Sequence, residues 1–284
     1  MGQIANELVA QLQVIAQRFG SPGIAALHVP ATKLRHGAPA RDAEFCAVEL
    51  DDGSFGLSYV LLGDTLDQLT GRLRAGETLA GTKALDMVAK FTGGSPVERA
   101  LALACINALT DSVWRQIGYA PPPASNSLGE LQLTGRDHLG MIGFFPPLVR
   151  KVQACGAQLT VVELDEATAR RQRQRFPDVR VTLDRSALAR CNRVVGTSTM
   201  LLNDTLDEML AAAPNAHGFA VIGPSAGLWP DALFARGVTL MGGTRIIDSG
   251  RFRRAMTSGE SWSGSAQKFS LARVDWPGWK ALLA

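Results

Sequence analysis

The chain of 284 residues is 46% hydrophobic and 19% charged, with 29 glycines and 6% aromatic residues, a composition that buries a sizeable core and excludes disordered, collagen-like and coiled-coil proteins. Twenty-nine Lys and Arg against 26 Asp and Glu leave a net charge of +3, too small an excess to mark a nucleic-acid or polyanion surface. No stretch reaches the roughly 18 consecutive apolar residues of a membrane span, and the richest run, 139–149, is broken by Pro146 and Pro147.

Ile4, Leu8, Leu12, Ile15 and Phe19 recur at helical spacing. The segment lacks the basic start and unbroken apolar centre of a signal peptide, so a cytoplasmic location is expected. Apolar or alternating runs follow at 24–29, 45–50 and 55–61, and Asp51-Asp52-Gly53-Ser54 between the last two has the residues of a tight turn, which predicts a β-hairpin. Thr65 and Gln68 have the spacing of a capping box, 79–91 is a second helical candidate, and Gly93-Gly94-Ser95-Pro96 punctuates before a long helix over 97–117. Residues 119–129, with three consecutive prolines and small polar residues, cannot join a core helix and mark the expected boundary between an α+β domain over 1–120 and a second domain over 130–284.

In the second half, apolar runs at 138–144, 159–163, 179–183, 193–197, 218–222 and 238–241 alternate with segments of helical length at 148–155, 166–175, 205–213 and 230–236. That alternation predicts βαβ units and a doubly wound, mainly parallel sheet. Residues 63–69 echo 203–209; shared helix-start chemistry explains the echo better than duplication. The last segment, 249–284, carries six Lys and Arg against two acids and holds Trp262, Trp276 and Trp279. Three indoles predict that it packs on the protein or on a second subunit.

Ligands of an open α/β sheet sit beyond the carboxyl ends of its strands. The first such loop, Gly140-Met-Ile-Gly143-Phe144-Phe145-Pro146-Pro147, departs from the GxGxxG dinucleotide fingerprint and disfavours an ordinary NAD site. Glu163, ending the second strand, stands where a carboxylate accepts from ribose hydroxyls in Rossmann-like proteins. Hydroxyl and glycine runs follow at Thr197-Ser198-Thr199 with Asn203 and Asp204, at Gly223-Pro224-Ser225 with Trp229, and at Gly242-Gly243-Thr244 with Asp248; such loops bind anions or hydroxylated ligands. Metal binding has no HxxxH, HExxH or CxxC signature here. Cys46, Cys105, Cys155 and Cys191 lie 59, 50 and 36 residues apart and are expected to be reduced structural thiols. His28, His36, His138 and His217 are expected in structural roles.

GMIGFFPPLV at 140–149, VVELD at 161–165, GTSTMLLNDTLDEML at 196–210, VIGPSAGLWPDALFARGV at 221–238 and GGTRIID at 242–248 together resemble the family named putative heavy-metal chelation domain. The resemblance implies a Rossmann-like domain preceded by a smaller α+β domain similar in fold to the enolase N-terminal domain, whose final helix VERALALACINAL at 97–109 resembles. It implies a small-ligand-binding protein handling a transition-metal ion or a metal chelate in the cleft between the domains, with no membrane insertion and a homo-oligomeric state. The alternative is an enzyme using a nucleotide or S-adenosylmethionine. The cleft maps onto Gly143, Phe144, Phe145, Pro146, Glu163, Thr197, Ser198, Thr199, Asn203, Gly223, Pro224, Ser225, Trp229 and Thr244, with Asp204 and Asp248 for a cation. One pocket joining Glu163, Thr197, Ser198, Asn203, Ser225 and Asp248 under Phe144 and Trp229 is the sharpest form of this expectation.

Overall fold

The computed structural model describes residues 2–30, 44–124, 131 and 133–284. His36 and the 125–129 part of the proline-rich segment lie outside the described residues. Helix α1 (Gln3–Phe19) buries Ile4, Leu8, Leu12 and Ile15 as its spacing requires. Strands β1 (Ile24–His28), β2 (Phe45–Leu50) and β3 (Phe55–Tyr59) form an antiparallel sheet in that order. The β2–β3 turn places Gly53 at φ 78°, and the Ser54 N–H donates to Asp52 Oδ1 at 2.9 Å.

Two helix starts differ from the sequence reading. Helix α2 (Thr65–Arg74) begins at Thr65, but the Thr65 hydroxyl donates to the Leu62 carbonyl, and the Gln68 amide donates to Asp64, so no capping box forms there. The box stands at Ser95 instead: its N–H donates to Glu98 Oε2 at 2.8 Å and its Oγ accepts from the Glu98 N–H at 3.3 Å. Helix α3 (Ala84–Val88), with one 3₁₀ turn over Ala89–Phe91, is shorter than the expected 79–91. Gly81, at φ 84°, donates to the Ile24 carbonyl, and the Ile24 N–H donates to Thr82. The chain there is committed to the start of β1 and cannot coil.

Helix α4 (Pro96–Gln116) is buried on every side from Ala100 to Trp114. It lies so close on β3 that a Cβ at Gly56 would fall on the Ala104 carbonyl oxygen and the Ala108 amide; only glycine permits that approach. The Asn107 amide donates to the carbonyls of Leu57 at 2.7 Å and Ser225 at 2.9 Å.

The second sheet comprises β4 (His138–Ile142), β5 (Gln158–Val162), β6 (Arg180–Thr182), β7 (Arg193–Thr197), β8 (Gly218–Ile222), β9 (Leu240–Ile246) and β10 (Ala266–Ala272), in the order β10-β9-β8-β7-β4-β5-β6. All neighbours are parallel except β9 and β10. It is a Rossmann-like sheet. Helices α5 (Pro146–Cys155) and α6 (Glu166–Arg175) cover one face, burying Leu148, Val149, Val152 and Ala169 with Leu139, Met141, Val161 and Val195. On the other face α7 (Leu206–Ala212) and α8 (Asp231–Ala235) share one apolar cluster with α1 and α4.

The sequence reads Gly242-Gly243-Thr244 as part of a strand-end loop, but β9 runs on to Ile246, so Thr244 is a strand residue. The reason is β10, which pairs antiparallel along the whole strand from Ala272↔Leu240 to Ala266↔Ile246. Helix α9 (Ser249–Ser258) then lays Phe252, Ala255 and Met256, with Trp262, on Ala47, Phe55 and Leu57 of the first sheet. Near the short helix α10 (Trp279–Leu282), Trp276 Nε1 and the Trp279 N–H both donate to Asp231 Oδ1, at 3.1 and 3.0 Å. The basic, Trp-rich segment therefore packs on the protein. Pro122 and Ala124 bond to Ser270 and Lys268 along the outer edge of β10.

Candidate functional site

From β4 the chain winds outward through β5 and β6, then returns to the other side of β4 and winds through β7, β8 and β9. The loops leaving β4 and β7 therefore part to opposite faces and open a crevice at the carboxyl ends of the strands. Gly143, at φ 75°, donates its N–H to the Val162 carbonyl at 3.0 Å, and a Cβ on it would stand 3.2 Å from Thr197 Cγ2. The two loops touch at this point. Thr197 Oγ1 accepts from the N–H and the hydroxyl of Thr199 at 3.3 and 3.2 Å. Phe144 stands beside the crevice with its ring 4.8 Å from that of Phe176.

Glu163 is the first residue past β5, twenty positions after Gly143, the separation at which an acidic residue meets a ribose in dinucleotide-binding units. Its N–H donates to the Thr182 carbonyl at 2.9 Å. The carboxyl is half-buried and makes no ion pair among the described residues. Burial first, and the neighbouring Asp165 second, push its pKa up to about 7. Asp165 itself is committed to the start of α6, accepting from the Thr168 N–H at 2.8 Å.

The other expected site residues divide. Gly223 and Pro224 remain half-buried at the same strand-end edge, and a Cβ on Gly223 would fall on Ser198 Oγ. Ser198 is buried beneath it. Ser225 is fully buried, with Oγ accepting from the Tyr59 N–H at 2.9 Å, so it joins the two sheets rather than facing a crevice. Asn203 Oδ1 accepts from the N–H and hydroxyl of Thr205. Trp229 is 1% exposed, its ring 5.7 Å from Trp114 and 6.0 Å from Trp276, a core position rather than a roof. The structure thus gathers Gly143, Phe144, Phe145, Pro146, Glu163, Thr197 and Thr199 around the crossover, flanked by Gly223 and Pro224.

A cation held by protein side chains alone does not fit. Among the described residues no three His, Cys, Asp or Glu side chains stand close enough to hold a metal ion. Asp248 accepts from the Arg251 N–H at 2.9 Å at the start of α9, while Asp204, at φ 59°, accepts from the Gly2 N–H at the start of α1. The two carboxylates serve different helices.

Sequence reasoning did not single out two buried ionic groups. Asp111 on α4 meets Arg245 Nε on β9 at 2.7 Å, and burial still raises its pKa despite that cation. Glu49 on β2 accepts from Arg253 Nε of α9 at 3.1 Å and from His28 Nε2 at 2.8 Å, the Arg253 bond holding its pKa low. Asp111, a carboxylate within the long, mainly apolar run 100–114, was the available signal for the first. An open cavity of about 620 Å³ lies at the opposite end of the parallel strands, lined by Gln3, Asp207, Pro214, Phe219 and Arg236. Strand-end loops do not converge there, and Arg236 is already paired with Glu7.

A family model described as "Putative heavy-metal chelation" matches residues 127–275, and a second of the same description matches residues 43–110. A protein of unknown function from Pyrococcus horikoshii is 18% identical with a TM-score of 0.66, covering 95% of this chain and 100% of its own. Another of unknown function, from Desulfitobacterium hafniense, is 17% identical with a TM-score of 0.63, covering 94% of this chain and 98% of its own. At these identities the likeness is one of fold. No curated protein matches the chain.

Proposed function

The chain belongs to the "Putative heavy-metal chelation" family, and from that premise we propose that it is a small-ligand-binding protein handling a metal as an organic chelate seated at the β4–β7 crossover. The observation that carries this reading is Glu163, a half-buried carboxyl that makes no ion pair among the described residues and directly follows Val162, whose carbonyl accepts from the Gly143 N–H of the neighbouring strand-end loop. A strand-end edge that offers one carboxyl, hydroxyls and an aromatic ring suits an organic ligand, whereas a bare ion needs a tighter shell of charged donors. The N-terminal sheet reaches the same edge through Tyr59 and Ser225, which supports a site closed from that side. The smaller α+β unit, the cytoplasmic location and the homo-oligomer belong to the same proposal.

A second reading, a ligand containing a nucleoside and an enzyme acting on it, is favoured by the twenty-residue separation of Gly143 and Glu163. Native mass spectrometry of the protein as purified, joined to elemental analysis, tests the leading reading. An organic mass increment is expected, with any metal at equal stoichiometry, and Glu163→Gln is expected to lose it. A stoichiometric metal with no organic mass, or a ligand indifferent to Glu163→Gln, would overturn it.

A further inference from the structure

Helix α5 begins with Pro146 and Pro147 as its first two residues, neither of which has an amide hydrogen. The next two N–H groups, of Leu148 and Val149, both turn back onto the Phe145 carbonyl at 2.9 and 3.2 Å. Upstream, the Phe145 N–H points at Met141 Sδ at 3.4 Å and the Gly143 N–H is held by Val162. From Gly143 to Val149 that leaves at most the Phe144 N–H for a ligand. In dinucleotide-binding folds this loop and helix start supply the donors that cradle the diphosphate. Here the phosphate half of that site is dismantled, while the ribose half, Glu163, stands half-buried at the usual separation.

We propose that the crossover takes a nucleoside-like ligand with no phosphate at the β4–α5 loop, its vicinal hydroxyls donating to Glu163. This rests on the crossover as the ligand's seat, and it narrows the ligand to a class. A phosphate would meet no converging amides and would bring its charge towards a carboxylate. The aromatic ring of Phe144 offers an apolar surface beside the crevice for a base. A sulfonium- or amine-bearing nucleoside fits the same logic, because a positive charge near Glu163 is favourable where a negative one is not.

Isothermal titration calorimetry on the full chain at pH 8, above the value near 7 to which burial pushes Glu163, separates the outcomes. Adenosine is expected to bind at least tenfold more tightly than adenosine monophosphate, and NADH more weakly still. Glu163→Gln should weaken adenosine about tenfold, the loss of one charge-assisted hydrogen bond. The double substitution Pro146→Ser with Pro147→Gly returns two amide donors and should narrow the gap between adenosine and its monophosphate. A monophosphate that binds as tightly as adenosine, or adenosine binding unchanged in Glu163→Gln, would sink the inference. If no nucleoside binds, the nucleoside class is overturned; the crossover site is then judged separately, by whether Glu163→Gln loses the ligand retained on purification.

Discussion

Trp114→Ala is expected to cost about 4 kcal/mol of stability, within the usual range for deleting a buried Trp side chain. Trp114 is fully buried, and its ring meets Tyr119, Trp229 and Phe269 at centroid distances of 5.5, 5.7 and 5.6 Å, drawn from α4, the chain after it, the loop before α8 and strand β10. Alanine would leave a cavity bounded by rigid rings that cannot close over it. Trp114 Nε1 has no hydrogen-bond partner among the described residues, so Trp114→Phe keeps most of the packing, removes an unpaired donor, and should cost less than half as much. Urea denaturation with linear extrapolation measures both. A loss under about 1 kcal/mol for Trp114→Ala would mean that this cluster is not a rigid packing centre between α4 and β10.

Glu163→Gln should make stability depend on pH in a different way from the parent. The carboxyl's folded value of about 7 lies above its ordinary 4.5, so the folded protein holds a proton there that the unfolded chain has released. Its favourable contribution is complete below pH 4.5 and is lost as pH rises through 7. The parent therefore carries the cost of a buried charge at pH 8 that the amide does not. The variant should match the parent near pH 4 and exceed it at pH 8 by on the order of 2 kcal/mol, a figure reduced for the part of the carboxyl still reached by water. Denaturation midpoints at the two pH values check the sign. An equal difference at both would show that Glu163 is ionised normally and that the crossover does not desolvate it.

The alternation of strand and helix beyond residue 130 was legible because each buried strand is a short apolar run and each covering helix shows a polar face. Strand β10, AQKFSLA, was not legible. It is an edge strand that exposes Gln267 and Lys268, so its pattern looks like solvent-facing coil until β9 supplies its partner. The same pairing stiffened Thr244, which reads as a turn residue beside two glycines. The strand-end positions of Glu163 and the Gly143 loop were legible, since a parallel sheet fixes where its strand ends gather. Ser225 and Trp229 were misjudged because a loop of small and aromatic residues is equally suited to dock against α4. Sequence records the chemistry of such a loop but not which surface it meets.

From Ala100 to Trp114 helix α4 has no face left for water, and its neighbours come from both sides: Gly56 and Leu57 of the first sheet on one, Ser225 and Trp229 after β8 and Arg245 of β9 on the other. A helix of this kind cannot persist beside only one of its partners, because melting either sheet would bare apolar surface and strand the bonded groups of Asn107 and Asp111. The molecule should lose its structure in one co-operative step, with a calorimetric enthalpy equal to the van't Hoff value, instead of unzipping at the proline-rich segment.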